Sequence, residues 1–103
     1  MNHYAGYTIK WVTLPWERQQ AYALRQRVFC QEQGLFVGDD RDDIDRDARL
    51  LVALGSLAGW HDEVVGTVRI HESEPGIWVG SRLAVDSAHL RPGQLHHGRA
   101  PVR

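Results

Sequence analysis

Apolar and polar residues alternate over residues 7–12 (YTIKWV), where Tyr7, Ile9 and Trp11 share one face. A β-branched, aromatic run of that period reads as a strand. Leu14-Pro15 breaks it, and proline suits the first turn of a helix, where its missing N–H is not needed. Residues 16–33 then carry Ala21, Leu24 and Val28 at i, i+3 and i+7, with Phe29 widening the stripe. Arg18, Arg25 and Gln26 fall largely off that stripe, so the segment reads as an amphipathic helix stopped by Gly34. Residues 35–47 read as a surface loop with one helical turn. From Arg49 the pattern becomes a short apolar run, Leu50 to Leu54, closed by Gly55, as in a strand buried on both faces. Residues 64–71 alternate again, with Val64, Gly66, Val68 and Ile70 on one face and Val65, Thr67, Arg69 and His71 on the other. Glu74-Pro75-Gly76 is a turn signal, and residues 77–85 alternate after it, which predicts an antiparallel hairpin. Residues 94–103 have neither period, and Gly98 and Pro101 make them a poor helix, so they read as a disordered tail outside a domain spanning residues 1–93.

Composition narrows the class. With 103 residues there is room for one domain with a modest core, and four Trp in a chain 43% hydrophobic argue against disorder. Twelve Lys plus Arg against thirteen Asp plus Glu leave a formal charge of −1, which excludes a strongly basic nucleic-acid binder. No apolar run approaches the roughly 20 residues of a membrane helix, so no membrane partner is expected. Residues 1–10 have no basic flank leading into an apolar segment, and the single Cys30 forms no internal disulfide. Together these features point to a cytoplasmic location. Cys30, beside Phe29, reads as a small buried core residue.

Candidate chemistry is sparse. Six Asp fall between Asp39 and Asp47, and Asp43, Asp45 and Asp47 match positions one, three and five of a calcium loop. Ala48 replaces the required glycine and Leu54 the closing Glu, so the run reads as a solvated loop whose Asp residues pair with Arg41 and Arg46. The six His lack metal-ligand spacing, and no metal is expected. His71 and Glu72, at a strand end, are the candidate catalytic bases. The strand ending in Leu83-Ala84-Val85 runs into a loop with Arg91, Gly93 and Gln94. Strand-end and loop N–H groups there could meet a pyrophosphate, with glycine allowing close approach.

Five segments occur in order: ALRQRVFCQEQG (23–34), DDIDRDA (42–48), LLVAL (50–54), VVGTVRIH (64–71) and GSRLAVDSAHLRPG (80–93). Together they resemble the GNAT family of N-acetyltransferases. Their wording is similar to a bacterial subgroup associated with nitrogen-starvation gene clusters. The resemblance implies a mixed α+β fold, the amino-terminal half of an acyl-CoA N-acyltransferase fold with its carboxyl-terminal part missing. It also implies acetyl transfer from acetyl-CoA to a small-molecule or peptide amine. Cofactor contacts are implied for Leu83, Ala84, Val85, Arg91, Gly93 and Gln94. Leu90 stands where the family loop has Arg or Gln, with Arg91 one residue off as a replacement cation, and Leu95 or, on a related spacing, His96 stands where it has its second glycine. Arg69 and Arg82 would line the site or pair with acidic residues on the sheet. The acidic loop could select cationic amines. The alternative reading is a non-catalytic module that self-associates through an exposed sheet edge.

Overall fold

In the computed structural model, residues 2–4, 7–55 and 62–86 are described. Two strands, β1 (Asn2–Tyr4) and β2 (Tyr7–Trp11), precede helix α1 (Pro15–Gln26), which continues as a π-helical turn (Arg27–Glu32). A 3-10 turn (Asp43–Arg46) follows, then β3 (Arg49–Gly55), β4 (Glu63–Glu74) and β5 (Ile77–Val85). The five strands form one antiparallel sheet in sequence order, β1-β2-β3-β4-β5. The architecture is therefore mixed α+β. No helix among the described residues is long and apolar enough to cross a membrane.

Helix α1 starts where the sequence predicts, with Pro15 at its first position. Glu17 reaches back to close the entry: Thr13 N and Leu14 N donate to its Oε1 at 3.0 and 3.1 Å, and Lys10 Nζ donates to Oε2 at 2.6 Å. That is the N3 half of a capping box, satisfying helix-entry amides that have no partner inside the helix. The predicted helix over residues 16–33 changes character at Arg27. Gln33 N donates to Val28 O five residues back, at 2.9 Å. The wider turn lets two successive residues, Val28 and Phe29, both enter the core, at 4% and 2% exposure. Gly34 ends it at φ 64°, as expected for a helix-stopping glycine.

The core lies between α1 and one face of the sheet: Ala21, Leu24, Val28 and Phe29 meet Leu50, Val52, Leu54, Val64 and Ala84. Strand β3 is not buried on both faces. Leu50, Val52 and Leu54 point to the helix and are buried, whereas Leu51 and Ala53, on the other face, are half-buried. Strand β4 also departs from a uniform alternation. The register shifts between Ala53 and Leu54, so Val64 pairs with Leu54 and Gly66 with Ala53. This bulge returns Val64 to the helix-side face with Thr67 and Arg69, rather than leaving it with Gly66, Val68 and Ile70. At the hairpin, Pro75-Gly76 joins Glu74 to Ile77, with Gly76 at φ 81°. Proline followed by glycine at positive φ is the type II combination.

Candidate functional site: a bulged strand edge held by an ion network

Strand β5 ends the sheet, and no strand among the described residues pairs with its outer edge. Near its end the ladder is irregular. Thr67 faces Ala84 and Arg69 faces Ser81, so Val68 alone stands opposite both Arg82 and Leu83. The extra residue makes a β-bulge, and Arg82 takes it up at φ 54°. It is the one non-glycine residue at positive φ among the described residues. A side chain in that region costs about 1–2 kcal/mol, which is why glycine ordinarily occupies such positions.

The Arg82 side chain is anchored accordingly. Its Nε and Nη2 donate to the carbonyl of Asp40 at 3.2 and 3.1 Å, and Nη2 also donates to Asp42 Oδ2 at 3.1 Å. The guanidinium lies 4.4 Å from the centroid of the Phe36 ring. The same loop binds two further arginines. Arg25 Nε donates to Asp40 Oδ2 at 2.8 Å, and its two terminal nitrogens grip Asp45 at 2.7 and 3.0 Å. Arg69 Nη1 donates to Asp42 Oδ1 at 2.7 Å and to Asp45 Oδ2 at 3.1 Å, while its Nε donates to Ser81 Oγ at 3.0 Å. Three guanidinium groups thus meet three carboxylates, and the charges cancel. Arg25 and Asp40 are 0% and 1% exposed. Charges so deeply buried persist only when paired and hydrogen-bonded. Burial pushes the Asp45 carboxyl up, but hydrogen bonds and charge from Arg25, with Arg69 adding to them, hold it below its ordinary value. Burial likewise disfavours the Arg25 cation, and Asp45 and Asp40 outweigh it, so its pKa is raised.

This network revises the reading of the acidic run. Asp39 does pair with Arg41 at 2.7 Å and Asp43 with Arg46 at 3.4 Å, both at the surface. Asp40, Asp42 and Asp45 instead turn toward α1 and the sheet. The loop is therefore not simply solvated and self-repelling: half of its Asp residues neutralise arginines on other elements. The field it could offer to cationic amines is reduced to the same extent. Arg25 is also not off the buried stripe, because it stands four residues after Ala21 and three before Val28. Cys30 is half-buried beside Phe36 and Gly38 and is absent from the core cluster, because the π-helical turn brings Phe29 inward in its place. Burial, then the charges of Asp40 and Asp39, push its thiol up, which disfavours the nucleophilic thiolate.

The remaining site residues divide. Leu83 is 36% exposed, Ala84 is buried at 0% and Val85 is half-buried, all on the β5 edge just past Arg82. Arg91, Gly93 and Gln94 lie outside the described residues, as does the boundary expected at residue 93. His71 stands on the same face of β4 as Thr67 and Arg69, about 10 Å along the strand from Val68. Its Nδ1 is buried and has no hydrogen-bond partner among the described residues. Glu72 is exposed and serves the turn, its Oε2 accepting from Gly76 N at 2.7 Å. The strand pleat sends these neighbours to opposite faces, so they do not act on one atom together. Among the described residues no group of His, Cys, Asp or Glu is arranged to hold a metal ion.

Two hollows are relevant. A cleft of 630 Å³ lies between α1 and the loop and is lined by Arg18, Gln19, Tyr22, Gln26, Asp39 and Arg41. It shares no residue with the β5 edge. A smaller pocket of 180 Å³ adjoins the end of β5, where Arg27 and Asp86 pair at 3.2 Å. Its position makes the smaller pocket the more relevant to strand-end chemistry, despite its size. No protein-family model matches the sequence, and no curated protein matches it.

Proposed function

We propose that this chain is an acyltransferase-type domain that binds acetyl-CoA along the free edge of β5 and transfers its acetyl group to an amine. The observation that carries the reading is the bulge at Arg82-Leu83 on a strand whose outer edge has no partner among the described residues, directly before Leu83–Val85. An edge strand offers backbone N–H and C=O groups with no partner, and a bulge turns them out of the regular ladder. Such groups suit the amides of an extended pantetheine arm, and an N–H there can meet the oxyanion of a thioester under attack. The sequence resemblance points to the same residues.

In this reaction the amine nitrogen attacks the thioester carbonyl, the C–S bond breaks, and the amine proton leaves as the CoA thiol forms. His71 is the base carried forward, because it shares a face with Arg69 and Thr67 and its Nδ1 has no partner among the described residues, whereas Glu72 is committed to the turn. Small-molecule and peptide amines are both acceptable acceptors, and the single cysteine fits a cytoplasmic setting. Isothermal titration with acetyl-CoA tests the reading: measurable binding heat is expected, followed by release of free CoA thiol with a panel of amines. A flat titration at millimolar acetyl-CoA overturns it.

A second reading has its own support. Ile77, Trp78, Val79 and Leu83 are 50%, 58%, 38% and 36% exposed on the same edge strand, an apolar set suited to self-association.

A further inference from the structure

We infer that Arg82 is a positioning residue through which the acidic loop holds the β5 edge in its bulged form. The inference rests on the acetyl-CoA reading for its functional meaning, and on geometry alone for the clamp itself. Arg82 sits at φ 54°, where glycine is the residue at ease, in the strand position that opposes Val68 together with Leu83. Nothing in the local backbone favours an arginine there. Its side chain compensates by crossing to the loop, with bonds to the Asp40 carbonyl and to Asp42 Oδ2, a face on Phe36, and an ion pair to Asp40 Oδ2 at 3.2 Å. The loop end of this clamp is itself fixed. Arg25 holds Asp40 and Asp45, and Arg69 ties Asp42 and Asp45 to Ser81, the residue just before the bulge. The strained backbone is thus bracketed by Arg69-Ser81 on one side and the Arg82 clamp on the other. Backbone conformations of this kind persist only where surrounding structure determines them. Release of residues 40–42 would therefore let the bulge relax and shift the outward-facing backbone groups of the Leu83–Val85 stretch, so that loop order and cofactor binding become linked.

The clamp and a direct contact by Arg82 on the cofactor make opposite predictions for two small substitutions. Arg82→Ala removes the clamp and keeps the backbone strain, whereas Arg82→Gly removes both. Amide hydrogen exchange followed by NMR reads the edge without any ligand, with the β3 amides of Leu50 and Val52 as the check on the fold. Arg82→Ala is expected to speed exchange about tenfold over wild type at those amides of residues 83–85 that pair with β4, with β3 unchanged and Arg82→Gly recovering most of the loss. Asp42→Ala, 40 residues away in sequence, is expected to speed exchange at the same amides. In parallel titrations Arg82→Ala weakens acetyl-CoA binding about tenfold, or about 1.4 kcal/mol, and Arg82→Gly restores it to near the wild-type value. Equal exchange in the Ala and Gly variants, or no change in Asp42→Ala, overturns the clamp. Equal loss of affinity in both Arg82 variants assigns Arg82 to cofactor contact and also overturns it. Wild-type protein that binds no acetyl-CoA sinks the proposed function instead, and leaves the exchange experiment to decide the clamp.

Discussion

Arg25 holds two carboxylates at once, Asp40 at 2.8 Å and Asp45 at 2.7 Å, with no exposure of its own. Removing it leaves Arg69 and Arg82 to balance three carboxylates, one negative charge in excess, and loss of a partner from a buried pair costs about 3–5 kcal/mol. Arg25→Met is therefore expected to lower unfolding free energy by about that amount at neutral pH in urea titrations. The pH dependence has a definite sign. Asp45 has its folded pKa held below the ordinary 3.8. Its contribution is complete above the unfolded value and disappears as pH falls through the folded one. The gap between wild type and Arg25→Met should thus narrow below about pH 4, and a gap of constant size down to pH 2 would show that ionised Asp45 is not its source. This network was only partly legible in the sequence. Spacing alone puts Arg25 on the buried stripe, at i+4 from Ala21, but a guanidinium counts as a surface group until its partners are known. Those partners are 15 and 20 residues away, in a loop with no period to read.

At the scale of elements, local period was the reliable signal and irregularity the hidden one. The strands β2, β4 and β5 follow from alternation, β3 from its apolar run, and the α1 start at Pro15 and the stop at Gly34 from proline and glycine placement. The short β1 has too few residues to show a period. The π-helical turn and the register shifts at Ala53/Leu54 and Thr67/Arg69 were not legible, because each is one extra residue accommodated by packing from a distant element. Gly34 isolates one of these local terms cleanly. It sits at φ 64°, and a Cβ there would meet no atom within 4 Å, so substitution tests backbone conformation without steric contact. Gly34→Ala is expected to destabilise by about 1 kcal/mol, read as a lowered urea midpoint at unchanged slope. A neutral result would mean that the end of the π-helical turn relaxes to a negative φ.

Among the described residues the sheet ends in an edge, β5, that its own sequence does little to protect. Natural edge strands carry lysines, prolines or inward charges that discourage pairing with another chain. The β5 sequence IWVGSRLAV has one charged residue, Arg82, and that residue is turned into the loop clamp. Its first four residues are all exposed, Trp78 by 58%. Two copies aligning their β5 edges antiparallel about a two-fold axis would pair these backbones and cover the apolar side chains. Size-exclusion chromatography with light scattering is expected to show a concentration-dependent dimer, and Trp78→Lys and Val79→Lys, on opposite faces of the strand, should each shift it toward monomer. Because the acetyl-CoA reading uses the same strand, the two ligands of this edge compete. Saturating acetyl-CoA is then expected to dissociate the dimer, whereas a dimer that persists with acetyl-CoA bound would separate the two surfaces. A wild-type chain that stays monomeric at every concentration removes self-association and leaves the edge to the cofactor.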